Sequence, residues 1–144
     1  MMTISQNKSS ALDIENHLRR CDEVFIPNLA SYINIEVYAE KLFKSATRYE
    51  IWKSYNLISL LAGYSNYSQN VFYISNISVE KEFISKSYGK KLIEYLIQEI
   101  KLSGLNSIEL EVFKKNRRAI NFYFKNNFKV ISQTANKLRL KLIV

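Results

Sequence analysis

Two stretches of the chain carry side chains whose types and spacing could do chemistry. In the first, a Leu110-Glu111-Val112 run is followed by Asn116, Ala119-Ile120, Tyr123 and Asn127-Phe128. Residues Ser107 to Phe113 alternate as a strand, with Ile108, Leu110 and Val112 on one side and Glu109, Glu111 and Phe113 on the other. Glu111 is therefore free to face solvent or a cleft. Tyr123 falls on the helix that follows. A carboxylate can take a proton from an amine, and a phenol of ordinary pKa, about 10, stays protonated at neutral pH and can give one up. Together they make a workable pair for moving an acyl group onto an amine. The same residues also have plain structural readings: Glu111 solvated on one sheet face, and Tyr123, one of ten tyrosines, packed in the apolar face of its helix.

The second stretch is a strand, a loop and a helix: Ile74 to Val79, then Glu80 to Ser87, then Gly89-Lys90-Lys91-Leu92-Ile93. A loop entering a helix offers unpaired backbone N–H groups, which with the helix dipole favour an anion by roughly 0.3–1 kcal/mol at an exposed site. Ser85, Ser87 and Gly89 have little side chain, so a phosphate could approach the backbone, and Lys86, Lys90 and Lys91 add positive charge. Many helices start this way, and the pattern alone is weakly specific.

The elements that must position these residues follow from periodicity and punctuation. Helices are expected over Ala11 to Arg20 and over Ile35 to Ala46, the second with Ile35, Tyr38, Ala39 and Leu42 on one face. A meander of three strands is expected next. Its first strand contains Tyr49, Ile51 and Trp52, its second runs from Leu57 to Tyr64, and its third from Val71 to Val79, with turns at Ser54 to Asn56 and Ser65 to Asn70. Tyr88, Leu92, Ile93, Leu96, Ile97 and Ile100 recur at helical spacing, so Tyr88 to Ser103 reads as an amphipathic helix ended by Gly104. After the strand at Ser107 to Phe113, Asn116 can cap a helix on which Ala119, Ile120, Tyr123 and Phe124 share a face. Two strands, Phe128 to Gln133 and Leu138 to Val144, close the chain. The strand–helix–strand unit needs a crossover, so one parallel pair sits inside a mostly antiparallel sheet. The expected fold is α/β (α+β): a mixed sheet with helices on both faces.

Composition bounds the rest. The 144 residues suit one domain, and 47% of them are hydrophobic, enough for a core without metal or disulfide staples. Cys21 is the only cysteine, and the polar start lacks an apolar signal segment. A soluble, cytoplasmic protein is expected, with no membrane span. The formal charge is +8, but basic residues come in ones and twos (Arg19-Arg20, Lys90-Lys91, Lys114-Lys115, Arg117-Arg118), some of which could flank phosphates. His17 is the only histidine and has no ligand set beside it, so no metal site is expected. Cys21 reads as a plain thiol and Trp52 as core or cleft wall.

Taken together, the two stretches resemble the GNAT acetyltransferase superfamily, from about Leu57 to Ile131. In that family a loop of the form Gln/Arg-x-x-Gly-x-Gly/Ala cradles the pyrophosphate of coenzyme A on its backbone amides. The matching positions are Ile84, Ser87 and Gly89, within a cradle spanning Ser85, Lys86, Ser87, Tyr88, Gly89 and Lys90. Gly89 keeps the family residue, while Ile84 stands for arginine or glutamine and Ser87 for glycine. Ile77 and Val79 match the strand positions whose backbone contacts the acetyl and pantetheine parts. Asn116 to Tyr123 is similar to the family's N-x-x-A-I-x-x-Y helix, which implies a coenzyme contact for Asn116 and, for Tyr123, the acid that protonates the departing thiolate. Glu111 lies in a Leu-Glu-Val strand like that of ribosomal-protein alanine acetyltransferases, which implies the base. The family's first strand is not evident in the polar start.

The resemblance implies an N-acetyltransferase with acetyl-CoA as cosubstrate and the amine of a small molecule or peptide as acceptor, and it allows a homodimer. Glu109, Glu111 and several tyrosines suggest a polar, partly acidic cleft suited to a cationic or polyhydroxylated amine. A non-catalytic acyl-CoA-binding regulatory module is the alternative. A nucleic-acid-binding domain rests only on net charge and lacks a basic stripe or aromatic platform.

Overall fold

The computed structural model describes residues 3–144. The elements run β1 (Ile4–Gln6), α1 (Ala11–Cys21), α2 (Ile35–Ser45), β2 (Thr47–Lys53), β3 (Asn56–Asn66), β4 (Val71–Val79), α3 (Tyr88–Ser103), β5 (Ser107–Phe113), α4 (Arg117–Lys125), β6 (Lys129–Gln133) and β7 (Lys137–Ile143). Short 3₁₀ turns precede α2 and α3. One seven-stranded sheet has the order β1-β2-β3-β4-β5-β7-β6. Among the described residues only β4 and β5 pair in parallel, joined across α3. The mixed, mostly antiparallel sheet expected from the sequence is the observed one.

The helices begin where the sequence provides caps. Ser10 and Asp13 cap α1 reciprocally, Asn34 accepts from the Val37 N–H, and Asn116 accepts from the Ala119 N–H at 3.2 Å. Helix α3 ends at Gly104, whose φ of 86° lies in the left-handed region that favours glycine. Helices α1 and α2 cover one face of the sheet, packing Ile14, Leu18, Ala39 and Leu42 on Leu57, Leu60 and Ala62. Helices α3 and α4 cover the other, where Leu92, Ile93 and Leu96 meet Ile58, Leu61, Ile108 and Leu110. Each of these large aliphatic side chains contributes about 1.5–3 kcal/mol on burial.

Two bulges aim β4. Ile58 is an extra residue in β3, and Ser75 is an extra residue in β4, between the pairs Gly63↔Ile74 and Ala62↔Asn76. The second bulge reverses the alternation. Phe72 and Ile74 face α3, but past Ser75 it is Ile77 that packs on that side, while Ser78 turns to His17 of α1. Gly63 lies opposite this bulge, and a Cβ there would collide with the Tyr73 carbonyl oxygen.

Three expectations need correction. The polar start does form a strand: β1 pairs with β2 through Ile4↔Ile51, Ser5↔Glu50 and Gln6↔Tyr49. Ser5 Oγ accepts from Trp52 Nε1 at 2.9 Å and donates to Glu50, and the buried Glu50 carboxylate also accepts from the Lys8 and Ser9 N–H groups just after the strand. Phe124 does not share the buried face of α4 and is 46% exposed, while Ile120, Tyr123 and, beyond the helix, Phe128 are buried. Strand β3 continues to Asn66 rather than turning at Ser65.

Candidate active site

Strands β4 and β5 pair at only three positions, Val71↔Ser107, Phe72↔Ile108 and Tyr73↔Glu109. Beyond them the strands part. Strand β4 stays paired with β3 as far as Val79↔Ser59, so the opposite edge of Ile74 to Val79 has no strand partner among the described residues. Its backbone N–H and C=O groups face an opening at the C-terminal ends of the parallel pair, where α/β sheets receive ligands. Two cavities meet there, and Ile77, Asn116, Ala119 and Tyr123 border both.

The first cavity is about 410 Å³. Ile77 and Val79 from β4, Ile84 and Ser87 from the loop, and Gly89 and Lys90 from the first turn of α3 line it together with Asn116 and Tyr123. Ser85, Lys86 and Tyr88 do not line it. Ser85 and Lys86 end the 3₁₀ turn Lys81–Lys86, and the Tyr88 ring stacks on Phe83 at 6.2 Å. Ser87 takes φ 63°, ψ 25°, so the loop holds a left-handed residue directly before α3 although the residue is not glycine. Gly89 has a role the sequence does not reveal: a Cβ there would come within 3.2 Å of the Phe122 ring, across the cavity on α4.

The cations at this cavity are Lys90, Arg118 and Lys125. Lys90 and Arg118 belong to the basic pairs noted in the sequence; Lys125 and Phe122 were not anticipated, because only the approach of α4 to the start of α3 brings them in. Arg118 Nη2 also donates to the Val24 carbonyl at 3.4 Å, tying α4 to the segment after α1. An apolar cleft with a free strand edge, a helix N-terminus and three cations suits a long thiol ester with phosphates at one end.

The second cavity, about 260 Å³, lies toward α2 and the segment around Pro27. Glu111 borders it, but Glu109 does not. Arg139 Nε donates to Glu109 Oε1 at 2.8 Å and Lys141 Nζ stands 3.8 Å from Oε2, so Glu109 is held in an ion-pair cluster. Glu111 is exposed and, among the described residues, accepts only from the Tyr73 hydroxyl, at 3.3 Å. Burial, and then the Glu111 charge, raise the Tyr73 phenol above its ordinary pKa.

Tyr123 is buried among Phe122, Phe128 and Ile120. Burial pushes its phenol well above the usual tyrosine value, so it stays protonated through the neutral range. Its hydroxyl has no hydrogen-bond partner among the described residues.

Cys21 also borders the first cavity, and burial, followed by the Glu80 charge, pushes its thiol up to about 12. Burial thus keeps it as a neutral thiol. His17 is fully buried, with Nδ1 2.8 Å from the Leu57 carbonyl oxygen and Nε2 2.8 Å from Ser78 Oγ, which fixes the end of β4. Among the described residues no cluster of three His, Cys, Asp or Glu is placed to hold a metal, and no helix is long and apolar enough to cross a membrane.

Parted central strands with a helix starting at the opening are the frame of this fold. The chain belongs to the GNAT acetyltransferase family, whose model matches residues 12–128. No curated protein matches it in sequence. Among solved structures, the PaiA N-acetyltransferase of Thermoplasma acidophilum, in complex with coenzyme A, is similar at a TM-score of 0.78 and 20% identity, over 99% of this chain and 100% of that one. The ribosomal-protein-S18-alanine N-acetyltransferase of Escherichia coli is similar at 0.75 and 18%, over 100% and 94%. Ard1 from Thermoplasma volcanium is similar at 0.76 and 22%, over 99% and 97%.

Proposed function

We propose that the protein, acting as one domain over residues 1–144 in the cytoplasm, transfers the acetyl group of acetyl-CoA to the amine of a small molecule or peptide, with Glu111 as base and Tyr123 as acid. The observation that carries this reading is the parting of β4 from β5 with Tyr123 at the junction of two cavities, one lined by Lys90, Arg118 and Lys125, the other bordered by the Glu111 carboxylate. The larger cavity suits the donor and the smaller one the acceptor.

Acetyl-CoA supplies the acyl group as a thioester. The unpaired edge of Ile77 and Val79 gives backbone partners to the amides of its pantetheine arm. The amides from Ser87 to Lys90, with Lys90 and Arg118 nearby, suit its diphosphate. Asn116 uses its Oδ1 on the Ala119 N–H, which leaves its Nδ2 free for the ligand. Glu111 takes a proton from the incoming ammonium, directly or through water, and the free amine attacks the thioester carbonyl. As the C–S bond breaks, Tyr123 gives its phenolic proton to the sulfur, the attacking nitrogen releases its surplus proton to water, and the phenolate is reprotonated from solvent. Groups of this kind contribute typically about 10²–10⁴-fold each.

The test couples calorimetry of coenzyme A binding to a thiol-release screen with acetyl-CoA against amines and N-terminal peptides. Gly89→Asp places a carboxylate beside the diphosphate and the Phe122 ring, and binding should weaken at least about tenfold. Unchanged binding in that variant would overturn the donor placement. Tight binding with no turnover of any acceptor would leave a regulatory acyl-CoA-binding module.

A further inference from the structure

Asn76 of β4 is buried, and it borders the second cavity but not the first. One end of its amide lies against Ser78 Oγ, with Oδ1 at 2.9 Å. The other end bonds no described residue and is not sealed from the opening. Behind Asn76 the contacts continue inward. Ser78 Oγ is 2.8 Å from Nε2 of the fully buried His17, and His17 Nδ1 is 2.8 Å from the Leu57 carbonyl oxygen.

The hydrogens along this chain can be counted. The Leu57 carbonyl only accepts, so His17 Nδ1 carries a hydrogen. When His17 is neutral, its Nε2 is bare, and Ser78 gives its one hydrogen to that nitrogen. Cys21 Sγ, 3.6 Å from Nε2, is too weak a donor to take its place. Asn76 then meets the Ser78 oxygen with its NH₂ and turns its own oxygen to the cavity. When His17 is an imidazolium, Nε2 donates to Ser78, Ser78 donates to Asn76 Oδ1, and the NH₂ faces the cavity. The two ends of an amide have nearly the same shape, so packing admits both orientations and the hydrogen bonds decide between them. Both states of the ring have a counterpart in charge. On α1, Arg20 and the neutral Cys21 thiol stand beside it, and beyond β4 the Glu80 carboxylate comes within 3.7 Å of Nδ1. Glu80 balances an imidazolium, and Arg20, 3.1 Å from the same carboxylate oxygen, balances Glu80 when the ring is neutral.

We propose that Asn76 is a contact for the acceptor and that His17, through Ser78, sets which end of the amide the acceptor meets. With His17 neutral the amide oxygen accepts from the incoming ammonium; with His17 charged the NH₂ faces it and cannot. His17 is thus a positioning residue. The contact rests on the second cavity being the acceptor side of the proposed transfer.

The test reads the coupling and the contact separately. His17 is the only histidine, so protein with ¹⁵N in its histidine and asparagine side chains, and with no added histidines, gives one imidazole in the NMR spectrum. From about pH 5 to about pH 8 that imidazole should pass from doubly protonated to the Nδ1–H tautomer, and the Asn76 NH₂ signal should move with the same midpoint. In Ser78→Ala the imidazole should still titrate and the Asn76 signal should cease to follow. Kinetics use whichever of 1,4-diaminobutane, glucosamine and a hexapeptide with a free N-terminus the wild type acetylates fastest. Asn76→Ala should raise the KM of that amine at least about tenfold at about pH 8, as for a lost hydrogen bond to a charged group, with kcat little changed and coenzyme A affinity by calorimetry unchanged. A neutral His17 in the Nε2–H tautomer, an imidazole that keeps one state across the range, an Asn76 signal that does not follow it, or an Asn76→Ala protein with wild-type acceptor KM overturns the proposal. Acetylation of none of the three amines, with coenzyme A bound, overturns the proposed transfer and the acceptor contact with it, whereas the coupling stands or falls on the spectra alone.

Discussion

Arg139 stands directly across from Glu111 in the β5–β7 ladder, yet its guanidinium bonds Glu109 at 2.8 Å. On this sheet face Lys137, Arg139 and Lys141 are opposed in register to Phe113, Glu111 and Glu109. Glu109 collects two of the three cations, and Glu111 keeps only a phenol. A carboxylate paired with a guanidinium is a poor proton acceptor, because the pair stabilises its charged form. The offset pairing leaves Glu111 without a cationic partner among the described residues, as the proposed base role requires.

That relationship can be broken from a distance. Glu109→Gln removes the anion that holds Arg139 and frees the guanidinium to pair with Glu111. A Glu111 carboxylate paired with Arg139 should be a weaker base, and kcat at pH 7 should drop about tenfold. Adding Arg139→Met should restore kcat, a non-additive pair of changes that simple loss of folding would not produce. Glu111→Gln itself should cost more at neutral pH and recover partly as pH rises and free amine becomes abundant.

For Tyr123 the expected signature is a lower kcat with little change in coenzyme A affinity. Tyr123→Phe keeps the ring against Phe122 and Phe128 and removes only a hydroxyl that bonds no described residue. Stability should change by less than about 1 kcal/mol, while turnover falls about 10²-fold or more. Wild-type turnover in this variant, with chemistry shown to be rate-limiting, would rule out the acid role.

Much of this site was legible in the sequence because its signals are local. The Asn116 cap, the end of α3 at Gly104 and the strand alternation that separates Glu111 from Leu110 and Val112 each depend on a few neighbouring residues. The misses depend on distant partners. The β1 strand is polar and becomes tenable only because Glu50 and Trp52, more than forty residues on, bond its side chains and the segment after it. Helical spacing cannot decide that Phe122 rather than Phe124 borders the cavity, since that is set by where Gly89 lets α3 approach α4. Lys137 lies on a hairpin that alternation places correctly, but its meeting with Phe113 and the second cavity follows from the β5–β7 register.

Ser87 offers a test of the loop. Its left-handed backbone costs a non-glycine residue roughly 1 kcal/mol, partly offset by the greater unfolded freedom of glycine. Ser87→Gly should therefore be neutral to slightly stabilising, raising the melting temperature by at most about 3 °C, with coenzyme A affinity retained or improved. Ser87→Val should destabilise by about 1–3 kcal/mol and weaken coenzyme A binding, because a β-branched residue resists this conformation. Thermal melts and calorimetry on the two variants should diverge in opposite directions; a Ser87→Val protein as stable and as tight as the wild type would mean that the loop relaxes out of the left-handed state.

Glu80 links the pH dependence of stability to the same loop. It follows β4 directly, donates its N–H to the Ile58 carbonyl, and sets its carboxylate 3.1 Å from Arg20 Nε and 3.7 Å from His17 Nδ1. Burial alone would raise its pKa, but the contacts with His17 and Arg20 outweigh it and hold the carboxyl below the ordinary value. A depressed folded pKa means that the unfolded chain takes up this proton first. The stabilisation is therefore fully present above the unfolded value, about 4.3, and is lost as pH falls through the lower folded value. Glu80→Gln should thus cost about 1 kcal/mol at pH 7, and that cost should shrink as pH falls below about 4. Urea unfolding of both proteins at pH 7 and at pH 3.5 measures the difference. Since Ser78 and Val79 lead into Glu80 and then the cofactor loop, coenzyme A affinity in the wild type should decline over the same acid range, and in Glu80→Gln it should be lower already at pH 7. A stability difference between the two proteins that stays constant from pH 7 to pH 3.5 would show that the Glu80 charge contributes nothing and that the acid response arises elsewhere.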